Sequence, residues 1–444
     1  MERLDTLVIG TGAAGQTVAA ELAEAGLAVA ITDDRPYGGT CALRGCEPKK
    51  ALYSAADAVH RARTTPGVTG AATLDWPVAV AFKRTLTGPV TDSVERYLTD
   101  AGVKLLHGGA RFTSAGTVEV GGVAYAPDHV VIATGAVPAP LPFPGAKLVI
   151  DSEALMELDA LPARILFIGG GHISFEFAHI AAAAGSQVTI VHRSNHVLGG
   201  FDPDLTALLA ASYREAGIEV RTGSAVTGVR ESADAQRDVV LADGHSIACD
   251  LVVHGAGRIP ALGGLGLDTA GVAHGPRGVV VDRSMRSPDN PRVFAIGDAA
   301  AEGPPLPPVA IAQARVAAAV ILGDDKAVFT PLAIPSVVFS DPPLASVGLG
   351  EHEAHATGRS VVVHFNDTSG WTSSRRVGVR TSAAKVLVDG HTDEVLGMHL
   401  LGHHAEEVIN VGALAIATGT TATDLKTMLW AYPTAGSDLV YLLG

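Results

Sequence analysis

The chain has 444 residues, 47% hydrophobic and 18% charged, with a formal net charge of −14. That length suits roughly two to four domains, and the composition is that of a folded α/β protein rather than a disordered one. The acidic balance argues against general nucleic-acid binding, no apolar run reaches the ~20 residues of a membrane span, and three cysteines make no disulfide framework.

Met1-Glu2-Arg3-Leu4-Asp5 leads directly into an apolar strand without a basic and apolar leader, so no signal peptide is expected. The expected compartment is the reducing cytoplasm, where a disulfide is usually catalytic. The first unit reads strand (Thr6 to Ile9), glycine turn, helix (Ala13 to Ala25), strand (Ala28 to Thr32), with Asp33 closing that strand. Gly10, Gly12 and Gly15 form a GxGxxG turn, whose backbone N–H groups can approach a pyrophosphate at a helix N-terminus; Asp33 can accept from a ribose hydroxyl. Behind this unit, Gly38-Gly39-Thr40-Cys41-Ala42-Leu43-Arg44-Gly45-Cys46 holds two of the three cysteines, four residues apart. A thiol pair behind a dinucleotide loop points to a disulfide that exchanges electrons with a bound redox cofactor, and so to an enzyme. No further Cys or close His completes a zinc set, so no metal is expected.

A helix is expected from about Pro48 to Arg63, a loop over Thr64 to Thr73, and one helix over roughly Val78 to Asp100. A buried strand ends at Ala133-Thr134-Gly135. The strand–glycine–helix pattern then repeats at Ile165 to Val191, with Gly169 and Gly171 in the turn and Ser174 in the third small position. No acid ends the next strand; Arg193 follows it, and a cation there suits a 2′-phosphate, which favours NADPH over NADH. Cys249 lacks a partner and reads as packing. Pro304 to Pro308 reads as a rigid connector, and from about Pro331 the pattern changes to strands then helices, a separate α+β domain. His391, His399, His403 and His404 lack metal-ligand spacing and read as solvated or interface residues. Trp371 and Arg375-Arg376 read as interface-domain or surface residues rather than a substrate mouth.

The GGTC…GC.P.K block, the two glycine loops, Ala133-Thr134-Gly135, Gly257-Arg258 and Ala295-Ile296-Gly297-Asp298 together resemble the flavoprotein disulfide reductases of the glutathione reductase and dihydrolipoamide dehydrogenase type, over nearly the whole length. The resemblance implies an α/β fold with two dinucleotide-binding Rossmann-like domains plus a C-terminal α+β dimerisation domain. The implied boundaries are 1–150 and 269–330 for FAD, 151–268 for NAD(P)H and 331–444 for the homodimer interface. It implies that Cys46 lies against the flavin as the charge-transfer thiolate and that Cys41 is the interchange thiol. It pairs Lys50 with Glu176 beside the flavin, gives Asp298 an FAD contact and Arg258 a nicotinamide-nucleotide contact, and counts Thr40, Thr134 and Gly135 among the cofactor-binding residues.

One departure is large. The family ends in His-Pro-Thr-x-x-Glu, contributed across the dimer, whereas this chain has Tyr432-Pro433-Thr434-Ala435-Gly436-Ser437. A phenol with a pKa near ~10 is a poor base at neutral pH but can donate a proton. Arg315 matches a substrate arginine of glutathione reductases, and Ala20 stands where a second would be, which weakens glutathione as the substrate. The resulting expectation is an NADPH-dependent FAD enzyme that reduces a small disulfide. The alternatives are a flavin-dependent reductase of quinones or metal ions and a non-catalytic nucleotide-sensing dimer.

Overall fold

The strand Thr6–Ile9 (β1) is buried along its whole length, as a central parallel strand must be. In the computed structural model, which describes residues 4–232 and 236–444, it sits in the middle of a five-stranded parallel sheet. Its neighbours are His129–Ile132 on one side and Val29–Asp33 (β2) on the other, with Val293–Ala295 and Lys104–His107 at the edges. The helix Ala13–Glu24 (α1) turns Ala14, Gly15, Val18, Ala19 and Ala20 inward, and these small residues bring its axis close to the helix Pro307–Ile321. This unit comprises the chain up to Lys50 together with Ala81–Ala139 and Arg258–Thr330.

Local chemistry moves three boundaries from their expected places. The single helix expected over Val78 to Asp100 is two, Trp76–Thr87 and Val90–Asp100, because Gly88 closes the first on the Arg84 carbonyl and Pro89 has no N–H to continue it. The connector at Pro304 to Pro308 is shorter than expected, since Pro307 and Pro308 open a helix, where a missing N–H is harmless. A short helix Gly39–Arg44 (α2) precedes Cys46–Thr64 (α3), so the cysteine segment is helical on both sides of Gly45.

The second unit comprises Ala51–Val80, Pro140–Gly257 and Pro331–Gly444. Its parallel sheet runs Glu219–Arg221, Gln187–Val191, Arg164–Ile168, Leu251–His254. The helix His172–Ala183 packs on it and is buried almost all round. Its C-terminal part is a five-stranded antiparallel sheet, in which Ala383–Asp389 and Val395–Leu401 are buried throughout and covered by the helix Ala405–Thr418. Lys385, 2% exposed in that sheet, places Nζ 2.8 Å from Asp202, 2.6 Å from Asp204 and 2.9 Å from Glu351. These three carboxylates are near enough to one another to hold a cation, and the ammonium already stands among them. Among the described residues no helix is long and apolar enough to cross a membrane. The expected α/β architecture of two dinucleotide-type βαβ units and an α+β part is present.

Candidate active site

In the first unit the glycines of the turn are required by space. A Cβ on Gly10 would lie 2.3 Å from the Ala133 carbonyl oxygen, and one on Gly15 would lie 1.9 Å from that of Gly10. Gly39 has φ +72°, and its Cβ would meet the Gly12 Cα at 2.4 Å, so the first glycine turn and the start of α2 pack backbone to backbone. Asp33 holds the turn from below: its Oδ2 accepts the Thr11 N–H (2.8 Å) and hydroxyl (2.7 Å). Its Oδ1 accepts the Arg35 N–H (3.0 Å), which leaves about one lone-pair site for a ribose hydroxyl.

The residues present fit a dinucleotide on one specific observation. The Thr134 hydroxyl, beside the Gly10 contact, is buried and has no hydrogen-bond partner among the described residues, and such an orphan at a glycine cradle suits a ligand atom. Gly135 (φ +70°) faces open space, and Gly297 (φ +65°) lies against the start of α1, where a Cβ would come 3.7 Å from the Ala14 Cβ. Asp298 follows Gly297; burial pushes its carboxyl up, and the Arg258 guanidinium pulls it back. The Arg258 Nη2 also donates to the Ala136 carbonyl.

Cys41 lies in α2 and Cys46 is the first residue of α3; both are reduced and half-buried. The Cys41 thiol is held far above its usual value, chiefly by its hydrogen bond with the Cys46 sulfur, then by burial and by the charges of Cys46 and Glu47. Cys41 is therefore held protonated in this arrangement, and a Cys41 nucleophile needs a base. Thr40 packs against the Gly45 turn between them. Of the two lysines that follow, Lys49 is the buried one (8% exposed), whereas Lys50 is half-buried. Ala20 is buried, and the exposed Arg315 lies 3.5 Å from Glu21 of α1.

In the second unit, Gly169 (φ +107°) would put a Cβ 2.2 Å from the Gly255 carbonyl oxygen. Gly171 caps the helix His172–Ala183 and exposes its first N–H groups. Ser174 fills the third small position, and its Oγ would lie 2.0 Å from a Cβ on Gly255. The Gly170 N–H donates to His192 Nδ1 (3.0 Å), which fixes the end of the next strand, and Arg193 beyond it is exposed without a carboxylate partner among the described residues. Glu176 is 2% exposed and accepts the Phe339 N–H at 3.0 Å.

Tyr432 is 80% exposed and forms no hydrogen bond among the described residues. Ser437 does a different job from an orienting carboxylate. Its N–H and hydroxyl form a reciprocal cap with Thr434, the hydroxyl donating to the Thr434 carbonyl at 2.6 Å. Asp438, one place later, bonds Ser373 and is drawn to Arg376, while burial pushes its carboxyl up. Leu429, Met428, Tyr441 and Leu414 present an exposed apolar surface on this part of the chain. His399 is buried and tied to the Ser346 hydroxyl at 2.6 Å, and His403 stacks on His404.

Two family models match: "Pyridine nucleotide-disulphide oxidoreductase" over residues 4–314 and the "dimerisation domain" of the same family over 334–442. The chain is 32% identical to a glutathione reductase of Burkholderia cepacia over 99% of its length and 98% of that protein's. It is 34% identical to a dihydrolipoyl dehydrogenase of Thermus scotoductus over 99% of its length and 96% of that protein's. The Cu(II) complex of the HOCl-induced flavoprotein disulfide reductase RclA from Escherichia coli superposes with a TM-score of 0.90 at 27% identity, covering 100% of this chain and 99% of that one. With both family domains in place, the chain belongs to the pyridine nucleotide-disulphide oxidoreductases, enzymes that use FAD and NAD(P)H.

Proposed function

We propose that this enzyme uses NADPH and FAD to reduce a small disulfide through Cys41 and Cys46. The observation that carries this reading is the hydrogen-bonded thiol pair at the α2–α3 junction, in the unit that bears the bare glycine cradle. The residues proposed to hold FAD are Gly10, Gly12, Gly15, Asp33, Thr40, Thr134, Gly135 and Asp298, in a domain made of residues 1–150 and 269–330. Gly169, Gly171, Arg193 and Arg258 are assigned to the nicotinamide nucleotide. The unpaired Arg193 guanidinium supports NADPH, because a 2′-phosphate needs a cation where a ribose hydroxyl needs a carboxylate.

FAD supplies the two-electron link between the nicotinamide and the thiol pair. The dithiol then does the substrate chemistry. Cys41 loses its proton and attacks one sulfur of the disulfide; a Cys41–substrate bond forms, the substrate S–S bond breaks, and the leaving thiolate takes a proton. Cys46 attacks the Cys41 sulfur, releases the second thiol and restores the Cys41–Cys46 disulfide. Tyr432 of the partner subunit, in a homodimer built on residues 331–444, is the proposed proton donor to the first leaving group. Glu176 with a lysine of the Lys49-Lys50 pair is the proposed charge pair beside the flavin; the burial of Lys49 favours it over Lys50 for that role. A reducing compartment such as the cytoplasm suits a catalytic dithiol.

Anaerobic titration with NADPH tests the reading. A long-wavelength charge-transfer absorbance is expected in the wild type and is lost in Cys46→Ser. Direct bleaching of the flavin in the wild type without that band overturns it. A second reading, reduction of metal ions or quinones by the flavin, is favoured by the exposed Tyr432 in place of a His base and by the copper in the RclA complex. Under it, Cys41→Ser keeps its turnover with Cu(II) or a quinone while losing disulfide reduction.

A further inference from the structure

Phe339, Ser340 and Asp341 form a short strap that touches three helices of the second unit. The Phe339 N–H donates to the Glu176 carboxylate at 3.0 Å. Asp341 Oδ2 lies 2.6 Å from His60 Nδ1 of α3 and 3.7 Å from His179 Nδ1. Glu176 and His179 stand one turn apart on the same helix, so the strap is fixed at one end to the helix whose glutamate it contacts at the other. Tyr213 adds a tie, donating to the Phe175 carbonyl at 2.9 Å and accepting the Asp341 N–H at 3.4 Å. Tyr53 packs edge-on against the Phe339 ring at 5.5 Å and donates weakly to the Ser340 carbonyl.

We propose that Asp341 is a positioning residue for Glu176: held by His60 and His179, it keeps the Phe339 N–H on the Glu176 carboxylate and so sets the charge beside the flavin. The proposal rests on the reading of Glu176 as the flavin-side glutamate. A carboxylate that is 2% exposed depends on each donor it keeps, because a hydrogen bond to the charged form favours that form. Phe339 offers a backbone donor, which no substitution short of proline removes, so the gentler lever on it is the anchor two residues away. His60 is the stronger anchor, since its 2.6 Å contact is within hydrogen-bond distance whereas the 3.7 Å approach of His179 is beyond it. His179 contributes by position rather than by charge; burial keeps its imidazole neutral.

The test measures the equilibrium between NADPH and the enzyme-bound flavin, with the charge-transfer absorbance as a second readout, in the holoenzyme. Glu176→Gln is the reference and should shift the equilibrium. Asp341→Asn should shift it in the same direction by about tenfold, the size expected for losing a hydrogen bond to a buried charge, and Asp341→Glu should recover part of the shift. His60→Gln removes the 2.6 Å partner from the half-exposed side of the strap and should give the same sign at smaller size, which keeps the test open if Asp341→Asn folds poorly. Wild-type equilibrium and absorbance in Asp341→Asn or in His60→Gln, with Glu176→Gln shifted, overturn the proposal even if thermal stability falls. An unshifted Glu176→Gln instead sinks the reading of Glu176 itself, and the proposal falls with it.

Discussion

Gly39 and Gly12 meet backbone to backbone: a methyl carbon on Gly39 would stand 2.4 Å from the Gly12 Cα, at a φ of +72° that side chains rarely adopt. The glycine turn and the cysteine segment are therefore one rigid surface. Gly39→Ala must push them apart and also carries a strained backbone costing about 1–3 kcal/mol. We expect the variant to fold but to purify with less flavin, its FAD affinity down roughly 10- to 100-fold. The ratio of flavin to protein absorbance after dialysis checks this, and full occupancy would show that the contact does not shape the cofactor site.

The crowding at Gly10 and Gly15 was legible in the GxGxxG spacing, because close backbone approach leaves no other residue to choose, whereas the contact of Gly39 with Gly12 was not, because it joins segments 27 residues apart. The two βαβ units and the α+β change near Pro331 followed from periodicity. Which of Lys49 and Lys50 is the more buried was not legible, since adjacent lysines carry no local signal of which one packs inward. Ser437 was legible as a missing glutamate but not as a cap, because a cap is a backbone geometry. The anchors of Asp341 lie at positions 60 and 179, and those of Lys385 at 202, 204 and 351. Pairings at such separation leave no local trace.

Lys385 should matter to stability more than to chemistry. Burial alone would lower its ammonium pKa, but the ion pair with Asp202 and the hydrogen bonds to Asp204 and Glu351 outweigh burial and hold it above the ordinary value. Asp204 and Glu351 are largely solvated and count for little, whereas the Asp202 carboxylate is 1% exposed and would be left uncompensated. Lys385→Met is expected to destabilise by about 3–5 kcal/mol, as breaking a buried pair does. Asp202 also caps the helix Pro203–Glu215 through its other oxygen, so Asp202→Asn keeps an acceptor for the cap. The double variant should recover part of the loss. Urea unfolding of the four proteins measures the coupling, and additive losses would deny it.

Acid should weaken the fold before ordinary carboxylates protonate. Burial holds the His179 imidazole at about 4 against 6.5 when free; Asp341 opposes that shift and His60 adds to it. The unfolded chain takes up a proton near 6.5 and the folded one only near 4, so falling pH favours unfolding across that window. Above 6.5 the contribution is intact. His403, also held at about 4 by burial and by neighbouring cations, adds the same slope. The urea midpoint of the wild type should therefore drop from pH 6.5 towards 4, and His179→Asn should remove about half of that slope. An identical slope in the variant would mean that His179 is protonated in the fold.

Tyr432 and Ser437 are the proposed determinants of the reaction this enzyme favours. The Cys41 thiol is held protonated by its bond to Cys46, so an ordinary disulfide with a basic leaving group needs both a base for Cys41 and an acid for the departing thiolate. Tyr432 can supply the acid but is a poor base. The double substitution Tyr432→His and Ser437→Glu restores a base and its orienting carboxylate, at the cost of the Ser437–Thr434 cap, about 1 kcal/mol of local stability. If deprotonation of Cys41 limits turnover, kcat/KM for glutathione disulfide with NADPH should rise roughly 100-fold, the lower range of general base catalysis. Tyr432→His alone should gain less, because an unoriented imidazole spends little time on the thiol. No gain on any disulfide in a panel, with the charge-transfer band intact, would mean that the thiols are reduced normally but the acceptor pocket is built for something other than a disulfide, and Cu(II) and quinones would then be the substrates to assay.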